Sequence, residues 1–171
     1  MTSKVNGKNK GNTFERKIAN LLSDRFKNYL GIEKGFRRNS DSGSYFGGTN
    51  VHRIENYDLD NACFGDLMCP RNFIYSIECK HYKSAPSFQS ILAGEVKQWD
   101  LWIKQAEQDS TSSNKLPLLI IKYNNVPEFI FLKEKLEINS AIKYKEYYSY
   151  TLEELLKLSD DKFFDTPIKI G

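Results

Sequence analysis

The run "FIYSIECKHY" at 73–82 restricts how this chain can fold more than any other stretch. It is apolar enough to be a buried strand, yet it carries Glu78 and Lys80. Residues two apart in a strand share a face. Phe73, Tyr75, Ile77 and Cys79 therefore form one apolar side suited to a core, while Ile74, Ser76, Glu78 and Lys80 point the other way. The run just before it, "FGDLMCP" (64–70), has Asp66 at its mouth. Two carboxylates and an ammonium at neighbouring strand ends make a compact charged site on an otherwise apolar sheet. Carboxylates forced together repel unless a cation joins them. A hard divalent ion such as Mg²⁺ takes oxygen ligands of this kind. An ammonium beside it can orient or deprotonate a water, or neutralise charge building on a phosphate.

The surrounding elements follow from periodicity and turn chemistry. "TFERKIANLLSDRFKNY" predicts a helix over about 13–29, with Phe14, Ile18, Leu21, Leu22 and Phe26 on one face. Asn12 suits its N-cap and Glu15 the capping-box position three residues on. A short strand is expected within 34–40, then a long mobile loop containing "NSDSGSYFGGTN". Strands are expected at about 64–69 and 72–81. The segment 87–108 has a continuous helical stripe that includes Trp99, Trp102 and Ile103, and "STSSN" (110–114) is expected to break it. "LPLLIIKYNNVPEFIFL" reads as strand, Asn-Asn turn and strand. A last strand near 146–150 precedes a helix at 151–158 with a Thr151/Glu154 capping box. The order of elements predicts a mixed α/β sheet flanked by helices. At 171 residues, with no internal repeat, the expectation is a basic flexible tail at 1–11 and one domain at 12–171, its core ending near 132 and an extension over 133–171.

Charge points to a polyanion. Residues 1–40 hold ten Lys/Arg against three acids, whereas the rest holds fifteen against nineteen. A basic end on a nearly neutral body suits nucleic acid, and equally a solubilising tail. The polar start of the chain and the lack of a long apolar run predict an intracellular protein. Three cysteines without a CxxC pair do not form a disulfide framework, and His52, Cys63, Cys69 and His81 fit no ordinary zinc spacing.

Four stretches together, "KGNTFERKIANLL" (10–22), "FRRNS" (36–40), "GD" (65–66) and "IECK" (77–80), resemble the PD-(D/E)XK nuclease superfamily, in particular its Holliday-junction-resolvase-like group of archaea and phages. Gly65 stands where that motif usually has proline. The resemblance implies a restriction-endonuclease-like core in the order α-β-β-β-α-β. It further implies a Mg²⁺-dependent DNA endonuclease, with Mn²⁺ able to substitute, acting on branched DNA as a homodimer in the cytoplasm, including a phage protein in its host. The implied catalytic residues are Glu15, Asp66, Glu78 and Lys80. The implied metal ligands are Glu15, Asp66, Glu78 and the backbone carbonyl of Cys79. DNA contacts are expected from Lys10, Arg16, Arg37, Arg38, Gln98 and a loop serine, Ser42 or Ser44. Two other readings remain: a nuclease of the same fold with a restriction-type or single-strand-processing substrate, and a non-catalytic nucleic-acid-binding module.

Overall fold

The computed structural model describes residues 7–39, 65–138 and 142–165, without the side chain of Lys8. The helix α1 (Gly7–Leu30) leads into the two-residue strands β1 (Arg37–Arg38) and β2 (Leu67–Met68), and then into the long strand β3 (Tyr75–Tyr82). Next come helices α2 (Phe88–Leu92) and α3 (Lys97–Ser113), and strands β4 (Leu116–Tyr123), β5 (Phe129–Leu132), β6 (Ile142–Tyr144) and β7 (Tyr147–Thr151). Helix α4 (Leu152–Leu156) and a 3₁₀ turn at Asp160–Lys162 follow. The central sheet has the order β3-β4-β5-β7-β6, parallel between β3 and β4 and antiparallel elsewhere. The expected mixed sheet with flanking helices is therefore what forms.

Both faces of the sheet are covered. Ile18, Leu22 and Phe26 of α1 pack with Ile77, Cys79, Leu118 and Ile120 on one face. Trp99, Trp102 and Ile103 of α3 pack with Leu119, Ile121 and Phe131 on the other. The alternation expected along β3 holds, because its pairing register sets Glu78 opposite Leu119 and Lys80 opposite Ile121. Glu78 and Lys80 thus share the α3 face.

Several elements differ from the expectation, each for a tertiary reason. Helix α1 begins at Gly7, so residues 7–11 are helical rather than a tail, and Asn12 lies inside the helix instead of capping it. Lys10 Nζ donates to Asn124 Oδ1 at 2.6 Å, docking that first turn onto the β4–β5 turn. The stripe at 87–108 is two helices. Gly94 breaks it at φ +66°, and the Val96 N–H donates to the Tyr144 hydroxyl at 2.9 Å. The run at 110–113 continues α3, its hydroxyls donating to carbonyls three or four residues back, and Asn114 ends it in the left-handed region at φ 53°. Finally, β7 pairs with β5, and Phe163 and Phe164 pack on Phe26 and Phe73, so the segment after 132 completes the sheet and the core. The Thr151/Glu154 capping box forms as expected. The serine- and glycine-rich loop, with Ser42 and Ser44, lies outside the described residues, as do His52 and Cys63.

Candidate active site

The site is built on the outer edge of β3. The Asp66 N–H donates to the Ile77 carbonyl at 2.8 Å, and its Oδ2 accepts the Cys79 N–H at 2.8 Å. This two-point contact ties Asp66 to the edge strand. It requires glycine at 65: φ is +78°, and a Cβ there would stand 2.7 Å from the Ile77 oxygen and 3.1 Å from Ser76 Oγ. Proline, fixed at negative φ, cannot occupy this conformation. In a strand the N–H and C=O of one residue point to the same edge. The carbonyl of Cys79 therefore faces Asp66, as its N–H does.

Glu78 is 1% exposed and Asp66 8%. Burial pushes the Glu78 carboxyl up to about 8, reinforced by the negative charge of Asp66 and opposed by Lys80. Burial also pushes Asp66 up to about 6, opposed by the Cys79 N–H and by Lys80. One ammonium serves both acids. Lys80 Nζ donates to Glu78 Oε1, and burial is outweighed by Glu78 and Asp66, so its pKa is raised and it stays charged. Its second acceptor is Gln105 Oε1 on α3, at 3.1 Å.

Glu15 is buried on α1 and is engaged by Arg38, whose Nε donates to its Oε2 at 2.5 Å while Nη2 donates to Asn12 Oδ1 at 2.9 Å. Arg38 is thus engaged within the candidate site. Among the described residues, no three His, Cys, Asp or Glu side chains form a group able to hold a metal ion together. The donors are two carboxylates whose charges act on each other, Asp66 and Glu78, with the Cys79 carbonyl on the edge that Asp66 occupies; the charge of Glu15, in its ion pair, also acts on Asp66. Such an all-oxygen set fits a hard divalent cation, which would balance two buried acids that share one lysine.

The other expected positions are spread more widely. Arg16 is exposed on α1, and Arg37 is exposed on β1. Lys10 is held by Asn124. Gln98 is half-buried in the first turn of α3, and the glutamine that reaches Lys80 is Gln105, two turns further on. Two groups escaped the reading of the sequence, Gln105 and Asp109. The Gly65 N–H favours the charged form of Asp109, and the charge of Asp109 acts on both Asp66 and Glu78. Their only signal is a spacing of four, which places them on one stripe of α3.

An aspartate docked on the edge of a mixed sheet, beside the E-x-K of the edge strand and with a helix packed on each face of that sheet, defines a restriction-endonuclease-like protein. The chain belongs to the family described as "phage putative PDDEXK endonuclease", whose model matches residues 6–168. That match takes in the segment after 132, beyond the reach of the resemblance seen in the motifs. Among solved structures, the chain is similar to Hjc of Archaeoglobus fulgidus, a Holliday junction resolvase from an archaeal hyperthermophile. The identity is 16%, the match covers 84% of this chain and 89% of that one, and the TM-score is 0.37. No curated protein matches. No described helix is long and apolar enough to cross a membrane.

Proposed function

We propose that this endonuclease hydrolyses DNA phosphodiesters with a divalent metal, Mg²⁺ or Mn²⁺, held by Asp66, Glu78 and the Cys79 carbonyl. The observation that carries this reading is the buried pair of carboxylates at the edge of β3, each with a raised affinity for protons and both sharing Lys80. A group that favours a proton so strongly in the folded state is short of positive charge. When bound, the cation supplies that charge, lowers the pKa of a water and stabilises charge building on the phosphate.

The chain's own groups do the rest. Asp66 is aimed by the Cys79 N–H. Lys80, held at two of its three N–H groups, would have the third for orienting the attacking water. Glu15 is positioned by Arg38, and joining the metal would require it to share or release that guanidinium. Lys10, Arg16 and Arg37 are the proposed phosphate contacts.

The resemblance of residues 10–22, 36–40, 65–66 and 77–80 to resolvases makes branched DNA the proposed substrate, with Ser42 or Ser44 contributing from the loop. Two symmetric cuts would call for a twofold homodimer. The test is cleavage of a labelled four-way junction, a flap and a linear duplex in Mg²⁺ by the parent, Asp66→Ala and Lys80→Ala. Junction cutting that both substitutions abolish supports the assignment. Equal cutting by the variants rejects the site, and preference for the flap or linear duplex rejects the substrate.

A further inference from the structure

Helix α3 approaches the candidate site with two polar side chains one turn apart, Gln105 and Asp109. Each meets a different part of it. Gln105 Oε1 accepts from Lys80 Nζ at 3.1 Å. The N–H of Gly65, the residue whose positive φ sets the turn into Asp66, favours the charged form of Asp109. The rest of α3 is fixed behind them by Trp102, Ala106 and Ser110, all buried, with the Trp102 ring 4.8 Å from that of Tyr82 on β3. The two polar groups therefore sit on a rigid element.

The chemistry explains why such a helix is needed. Lysine carries a compact charge on a long flexible stem, and a single acceptor leaves its head free to swing about that contact. A second acceptor on a different element removes that freedom. The Gly65–Asp66 turn is tied to β3 through Asp66 and to β1 through Asn39, whose N–H and side-chain amide donate to the Asp66 and Gly65 carbonyls, and none of these bonds takes up the Gly65 N–H. A carboxylate on a packed helix anchors its first N–H. Charge-assisted bonds of this type are stronger than neutral ones.

We propose that Gln105 and Asp109 are positioning residues for the nuclease reaction: Gln105 orients the Lys80 ammonium, and Asp109 holds the Gly65–Asp66 turn in register with β3. The inference rests on the function proposed above for Asp66 and Lys80, and it concerns two residues that the resemblance does not assign.

The experiment compares parent, Gln105→Met, Gln105→Glu, Asp109→Ala, Asp109→Asn and Lys80→Ala as full-length chains. Steady-state cleavage of the preferred DNA is measured in Mg²⁺, and amide hydrogen exchange is measured at Gly65–Leu67 in metal-free protein. Removing an acceptor from a charged donor in Gln105→Met is expected to lower kcat about tenfold, with KM for DNA within about twofold. Gln105→Glu, which keeps an acceptor at the same reach, is expected to recover most of that loss. Asp109→Ala is expected to speed Gly65 exchange about tenfold and to lower kcat, whereas Asp109→Asn, which keeps the acceptor, stays close to the parent in both. Parent-like kcat in Gln105→Met and Asp109→Ala, in an assay where Lys80→Ala is dead, overturns the proposal. So does parent-like Gly65 exchange in Asp109→Ala. A parent that does not cleave would defeat the proposed function, while the exchange measurement would still decide whether Asp109 holds the turn.

Discussion

On the α1 side of the central sheet, the packing centres on phenylalanine rings that carry no polar group. Phe26 has ring centroids of Phe36, Phe163 and Phe164 within 5.9 Å, and Phe73 at 6.2 Å. On the α3 side, the aromatic residues carry polar handles that are used. Trp99 Nε1 donates to the Tyr123 hydroxyl, the Tyr144 hydroxyl to Asp100, and the Tyr147 hydroxyl to Glu107. β3 separates the two environments, with Ile77 and Cys79 facing the first and Glu78 and Lys80 the second. A dry face can be stabilised by area alone. A face with buried charges needs partners aimed at each of them. The comparison teaches that one strand carries both the fold's anchoring and its candidate chemistry, on opposite sides.

Cutting into the dry face should separate stability from activity most sharply. Phe26→Ala removes a fully buried ring and is expected to cost about 3–5 kcal/mol of unfolding free energy. Denaturant titration measures that loss, and the folded fraction is expected to keep its rate per molecule. Asp66→Ala and Lys80→Ala should do the reverse, lowering kcat/KM by roughly 10²-fold or more with the fold intact by circular dichroism.

Gly65→Ala tests the boundary between the two regions. Its Cβ must displace the Ile77 oxygen at a positive φ, so about 1–3 kcal/mol of strain is expected together with loss of cleavage, because Asp66 moves with the turn.

A smaller effect concerns pH. Between its ordinary value of 4.5 and about 8, folded Glu78 holds a proton that the unfolded chain has released. Asp66 behaves likewise between 3.8 and about 6. The folded state binds more protons over this window, so metal-free stability falls as pH rises through it. Melting temperatures at pH 5 and pH 8 in chelator measure the fall. Asp66→Asn, which keeps an acceptor for the Cys79 N–H, is expected to flatten the profile and to melt above the parent at pH 8. It would thus gain stability while losing activity.

Periodicity made the two apolar faces legible. The α1 stripe, the alternation along β3 and the helical stripe through Trp99 and Trp102 all report burial within one element, and burial leaves a pattern along the chain. The pair Glu78 and Lys80 was legible because a charge on a strand that is otherwise buried violates that pattern. Gln105 and Asp109 do not violate it, since polar residues on an exposed helix stripe are ordinary, and only the docking of α3 on β3 gives them partners. The same reason hid the early start of α1, where Lys10 needs Asn124, 114 residues away, to hold the turn. It also hid the break at Gly94, which the Tyr144 hydroxyl of β6 secures. The pairing of Arg38, expected among the DNA contacts, with Glu15 was hidden likewise, because only the fold shows that Glu15 is buried and needs a counter-charge.

The central claim is that the acids of the charged face take up a divalent ion together. Titration of Mn²⁺ into chelator-treated protein, followed by water-proton relaxation, tests it without DNA or catalysis. The account predicts saturable binding by the parent that weakens at least tenfold, roughly one pK unit of lost affinity, in both Asp66→Asn and Glu78→Gln. Binding of equal strength in the parent and both variants would contradict it.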